Sequence, residues 1–187
     1  MTYSQVYQVA EDTLLLLEAA QEEVRPGELV LEIGTGSGHI ASMISGIARV
    51  VASDINPHAV RAARMKGVEV VRADLLNGIS GRFDLILFNP PYLPTRSEER
   101  IDDWLEYALD GGESGREVIE LFARQVSSAL APGGRILLLI SSLTGEEEVI
   151  RIWQDSGFFV EVIKRDAIEG GEELLVLRCR LPNDGIQ

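Results

Sequence analysis

Short apolar runs bounded by Gly, Pro and Asp recur along the chain, at 29–33, 49–53, 68–72, 83–88, 135–141, 158–164 and 172–179. Their length and β-branched content predict seven strands. Between most of them, apolar residues recur at helical spacing over 39–45, 57–66, 117–130 and 145–156. A further helix is expected over 11–24, halted by Pro26 and Gly27. Strands alternating with helices imply one open, mostly parallel sheet covered on both faces, a Rossmann-like α/β fold. Only the short 166–171 segment joins the last two strands, so these should form an antiparallel hairpin. Asn56 before Pro57 reads as a helix N-cap, Thr144 with Glu147 as a capping box, and Gly157 as a helix stop. The single long irregular stretch, 90–115, directly follows the fourth strand, and loops of that length in a compact domain usually carry function.

With 187 residues, the chain is expected to be a single domain: a leader and helix over 1–27, then a catalytic core over 28–187. Hydrophobic residues make up 45% and charged residues 25%, a balance that folds rather than one that stays disordered. The longest apolar runs are far too short to span a bilayer and no basic-then-apolar segment opens the chain, so a cytoplasmic protein without a membrane partner is expected. Cys179, His39 and His58 are not at zinc-ligand spacing, so no metal site is expected. The net charge of -13 is spread along the chain and repels phosphate backbones, which disfavours nucleic acid as a partner; fifteen Arg leave room for a local basic stripe.

Candidate chemistry begins at Glu32-Ile33-Gly34-Thr35-Gly36-Ser37-Gly38, which ends the first strand and opens a helix. An open sheet places its glycine-rich ligand loop there, and Gly34 and Gly36 let the backbone turn tightly against a ligand. A dinucleotide fingerprint needs its third glycine where this chain has His39. Alternating glycines with an acidic residue two before the first favour S-adenosyl-L-methionine instead. Asp54 after the second strand is suited to ribose hydroxyls, and Asp74 after the third to an adenine amine. Each alone reads equally well as a turn residue; together they converge on one crevice at three strand ends.

Asn89-Pro90-Pro91-Tyr92 ends the fourth strand beside that crevice. Two prolines hold the backbone extended and remove two donors, leaving carbonyls as acceptors. Asn89 and the Pro90 carbonyl can then accept both hydrogens of an NH2 group while Tyr92 stacks on the flat group behind it. Asn89, Pro90 and Tyr92 are the expected catalytic residues, and Asn89, Pro90, Pro91 and Tyr92 the acceptor-binding ones; catalysis would be positioning and electrostatics.

The tetrapeptide, the glycine loop and the stretch Ala108-Leu109-Asp110-Gly111-Gly112 resemble the HemK-like protein-(glutamine N5) methyltransferases, which modify the Gly-Gly-Gln loop of translation release factors. The leader Tyr7-Gln8-Val9-Ala10-Glu11-Asp12-Thr13 is similar to the short archaeal and eukaryotic branch, whose members usually carry Pro where this chain has Val9. That resemblance implies S-adenosylmethionine bound at Thr13, Glu32, Gly34, Asp54, Asp74 and Leu75, with Asn89 facing both cofactor and acceptor. It implies the absence of the helical recognition domain of bacterial members. It also implies a small zinc-binding activator subunit as partner. If the strand order is the usual one for such methyltransferases, the third strand, Val68-Glu69-Val70-Val71-Arg72, is an open edge where that partner could add a strand.

The acceptor remains open at this stage. Adenine presents the same planar NH2 to the same tetrapeptide, lysine and small molecules are further alternatives, and a scaffold subunit without turnover is the alternative of another class. The 90–115 loop, with Trp104, Tyr107, Asp102 and Asp103, is expected to form a lid or groove selecting the acceptor.

Overall fold

In the computed structural model, residues 5–95 and 103–182 are described. The leader positions 1–4, the lid positions 96–102 including Asp102, and positions 183–187 lie outside them. The described residues form seven strands: β1 (Leu29–Ile33), β2 (Arg49–Asp54), β3 (Glu69–Arg72), β4 (Phe83–Phe88), β5 (Leu130–Ser141), β6 (Phe159–Ala167) and β7 (Glu173–Arg180). Six helices accompany them: α1 (Glu11–Glu23), α2 (His39–Ile44), α3 (Pro57–Met65), α4 (Trp104–Tyr107), α5 (Glu117–Gln125) and α6 (Glu146–Asp155). The sheet order is β3-β2-β1-β4-β5-β7-β6. β7 runs antiparallel to both β5 and β6, and every other pairing is parallel. Chain order reverses between β1 and β4, and that switch point opens a crevice at the carboxyl ends of the strands.

Period-two alternation sorts the central strands onto two cores. Val30, Leu85, Leu87, Leu137 and Leu139 face α1, α2 and α3. Leu31, Ile86, Phe88, Ile136 and Leu138 face α5 and α6. The second core is threaded by edge-to-face rings, with centroids 4.7 Å apart for Phe88 and Phe122, 5.8 Å for Phe122 and Trp153, and 5.0 Å for Trp153 and Phe158. At the opposite end of the sheet from the crevice, Arg135 pairs with Glu23 and Glu28, both at 2.8 Å, and ties the end of α1 to β5.

Four local expectations change. The predicted 117–130 helix ends at Gln125, continues as a 3-10 turn over Val126–Ala129, and hands Leu130 to β5. Leu130 pairs with Phe83 before a register shift, so the Pro-Gly-Gly segment is a bulge within the strand, not its boundary. No capping box forms at α6: Thr144 is buried and its hydroxyl donates to the Ser141 carbonyl, while Gly145 at φ 78° starts the helix. The stop at Gly157 is there, with Phe158 N–H on the Trp153 carbonyl and Gly157 N–H on that of Gln154. The 90–115 stretch is also less irregular than expected. It contains α4, capped by Asp103, and an isolated bridge from Leu93 to Asp110.

Candidate active site

After β1 the chain passes Gly34, Gly36 and Gly38 at φ 65°, 54° and 73°, a left-handed path that side-chain-bearing residues resist. At Gly38 a Cβ would also lie 2.8 Å from Cα and Cβ of Ala63 in α3, so packing requires that glycine as well. Beneath the loop, Glu32 Oε2 accepts from the Thr35 hydroxyl at 2.6 Å and from Ala41 N–H at 3.0 Å. Burial pushes the Glu32 carboxyl up to about 7. Asp54 holds the loop from the side: Oδ2 accepts from Gly36 N–H and Oδ1 from Asn56 N–H, both at 2.8 Å. Burial raises its pKa, against the pull of those backbone N–H groups. Each oxygen keeps one lone pair for a ligand hydroxyl. Asn56 caps α3 through His58 N–H and donates to the Gln5 carbonyl, which ties the leader over the crevice.

Asp74 is exposed after β3, and its backbone carbonyl accepts from Asn77 N–H and opens a tight turn. Within it Leu75 sits at φ 48°, the single non-glycine residue with positive φ among those described. Leucine in that region costs on the order of 1–3 kcal/mol and persists where its surroundings over-determine it, commonly at ligand sites.

At the end of β4, Asn89 Nδ2 donates to Asp12 Oδ2 at 3.1 Å, and its Oδ1 is buried with no hydrogen-bond partner among the described residues. The Tyr7 hydroxyl donates to the same Asp12 oxygen at 2.9 Å. Burial, helped by the Asp12 carboxylate, holds the phenols of Tyr7 and Tyr92 far above the ordinary tyrosine range, so both remain protonated. The 103–115 part of the following stretch packs back on this strand exit. Leu93 N–H bonds the Leu109 carbonyl, and a Cβ on Gly115 would lie 2.6 Å from the Tyr92 carbonyl oxygen, an approach only glycine permits. On α4, Trp104 lies under the Arg72 guanidinium, 5.6 Å from the ring centroid, so α4 meets the edge strand.

These elements enclose one cavity of about 490 Å³. Thr13, Glu32, Gly34, Gly36, Asp54, Asp74, Leu75, Asn89, Pro90, Pro91 and Tyr92 all line it, as do Trp104 and Tyr107. Every site residue expected from the sequence therefore comes to one place. Thr13 lies in the first turn of α1, whose N-cap is Ala10, so its hydroxyl is not used as a cap. Asp12 and Tyr7 line the same cavity without having been singled out. A carboxylate in a first helical turn reads from sequence as a helix-dipole partner, and nothing local shows that it meets a residue 77 positions on. The cavity suits S-adenosylmethionine: its volume is that of a small-ligand site, a loop without Cβ atoms leaves room for the ligand, and acceptors stand at three strand ends.

Residues 5–103 match the family described as the methyltransferase small domain. The chain is 39% identical over 183 residues to a putative protein N5-glutamine methyltransferase of Methanocaldococcus jannaschii, covering 95% of this chain and 92% of that protein. It is 38% identical to methyltransferase HEMK2 of Homo sapiens, covering 94% and 90%. Among solved structures it superposes with TM-score 0.81 and 29% identity on a chain of the E. cuniculi Mtq2–Trm112 complex responsible for methylation of the eRF1 translation termination factor, covering 95% and 99%.

Proposed function

The chain belongs to the HemK-like protein-(glutamine N5) methyltransferases, and on that premise we propose that the cavity methylates the side-chain amide nitrogen of a glutamine in the Gly-Gly-Gln loop of a class I translation release factor. One observation carries the reading to this chain's own residues: the buried, unpaired Asn89 Oδ1 at the exit of β4, beside a glycine loop built for a nucleoside. S-adenosylmethionine, when bound, supplies an electrophilic methyl group on a sulfonium. Gly34, Gly36, Thr13, Asp54, Asp74 and Leu75 bind and orient it, while Glu32 braces the loop from below. Asn89 Oδ1 and the Pro90 carbonyl accept from the glutamine NH2, which turns the nitrogen face toward the methyl group. Tyr92 covers the flat amide. As the N–C bond formed, the S–C bond to the methyl group would break, S-adenosylhomocysteine would be the leaving group, and the nitrogen would give up one of its two protons to solvent. Orientation by fixed acceptors in a water-poor pocket supplies the acceleration, on the order of a hundredfold for each well-placed group.

Adenine would satisfy the same acceptors. A net charge of -13 and a cavity closed by Trp104, Tyr107 and several acidic residues favour a protein loop over a phosphate-bearing strand. A second subunit belongs to the same reading, supported by the two-protein complex found for the E. cuniculi homologue. β3 is the open edge of the sheet, and Val71 and Met65 are exposed beside it, at 43% and 81%. A small zinc-binding activator adding a strand there would cover both. Activity on translation factors fits a cytoplasmic enzyme, and no helix among the described residues is long and apolar enough to cross a membrane.

Labelled S-adenosylmethionine, offered with release factor, DNA, RNA and histone in parallel and with the partner present, tests the acceptor. Label should enter the release factor alone. Label in DNA or RNA instead would transfer the assignment to adenine.

A further inference from the structure

Asp12 is 4% exposed, and its carboxylate turns away from solvent toward the end of β4. Five donors converge on it: Asn89 Nδ2 at 3.1 Å and the Tyr7 hydroxyl at 2.9 Å on Oδ2, Thr13 N–H at 2.6 Å and the Thr13 hydroxyl at 3.2 Å on Oδ1, and the Tyr92 hydroxyl beside them. Leader, first helix and fourth strand thus share one anion.

A carboxamide has two nearly isosteric orientations related by a half-turn about its last bond. A carboxylate accepts and does not donate, so only the orientation that turns the NH2 toward Asp12 forms a bond; the other sets oxygen against oxygen. The orientation so selected leaves Asn89 Oδ1, buried and without a partner among the described residues, on the other side of the carboxamide from Asp12, in a residue that lines the cavity. An acceptor NH2 presents hydrogens on its flat edge and must meet an oxygen there. With the carboxamide reversed, donor would face donor. Resting on the reading above of a planar NH2 acceptor, we propose that Asp12 is a positioning residue, whose carboxylate locks the Asn89 carboxamide with Oδ1 facing the nitrogen to be methylated. It acts through Asn89 and not on the reacting atoms.

A double-mutant cycle on release factor separates this from a structural role. Asp12→Asn keeps the shape and removes the charge that selects the orientation. It should lower kcat by roughly ten- to a hundredfold while cofactor affinity and KM change little. In the Asn89→Ala background the same change should cost less than about twofold, because the group it positions is gone. Losses that multiply in full would overturn the proposal, as would a folded Asp12→Asn enzyme with wild-type kcat. Nitrogen-15 NMR gives a readout that needs no acceptor. The side-chain NH2 signals of Asn89, identified by their loss in Asn89→Ala, should exchange slowly with solvent in the wild type and faster in Asp12→Asn. Rapid exchange in the wild type would overturn the proposal. If the NMR result holds but release factor takes up no methyl group, the glutamine reading fails and the positioning role stands.

Discussion

Glu32 and Asp54 show how two buried carboxylates shape a loop before any ligand enters. Glu32, raised to about 7, binds more protons in the folded than in the unfolded chain between its ordinary carboxylate range and about pH 7. Stability from this group should therefore fall as pH rises through that window. Glu32→Gln keeps an acceptor for Thr35 and Ala41 and should flatten the dependence, read as the urea midpoint between pH 4.5 and 7.5; an equal slope in both proteins would assign the titration elsewhere. Asp54→Ala should weaken S-adenosylmethionine binding by about 1.5–3 kcal/mol, the range for hydrogen bonds to a charged group, as read by calorimetry. Since Asp54 also holds Gly36 and Asn56 N–H, some of that loss should appear as a lower melting temperature. Both residues were legible in the sequence because strand, acidic residue and glycine run stand in one local stretch. Asp12 was not: its meaning comes from Tyr7 and Asn89, and the latter is distant in sequence.

Strands β1 and β4 fall on the residues that hydrophobic runs predict, since a fully buried strand has few other ways to be written. Helix α4 was hidden, because four residues are too short for a period to register. At Thr144 the sequence pattern was real but tertiary burial gave the hydroxyl another acceptor. Gly38→Ala tests how strictly the loop is built: it meets both a left-handed φ and Ala63, and should lose more than the roughly 1–3 kcal/mol of the backbone effect alone. Gly157→Ala, with φ 90° and open space, should lose only the backbone part, so equal denaturation midpoints would deny the clash. On the edge strand, Val70 is 6% exposed and faces the core, so arginine there would unfold the protein rather than probe a surface. Val71→Arg is the informative change. It should weaken partner binding about tenfold or more in pull-down titrations, as truncation of interface anchors does, while circular dichroism stays unchanged. Undiminished binding would place the partner on another face.

At the scale of the whole molecule, sheet order, cavity and charge point the same way. The strand order sets the crevice between β1 and β4, and three strand ends bring their acidic and glycine residues to it. From the 90–115 stretch, Trp104 and Tyr107 of α4 line that crevice, and Trp104 lies under Arg72 at the open edge. The fold was readable from alternation alone, whereas the enclosure of the site was not, because lid packing depends on close glycine contacts such as Gly115 on Tyr92. What remains decisive is the atom that receives the methyl group. Tandem mass spectrometry of release factor treated with enzyme, partner and S-adenosylmethionine reads it directly. The account predicts one added methyl group on the side-chain nitrogen of the glutamine in the Gly-Gly-Gln loop, strongly reduced with Asn89→Ala; methylation at any other residue, or undiminished by that substitution, would contradict it.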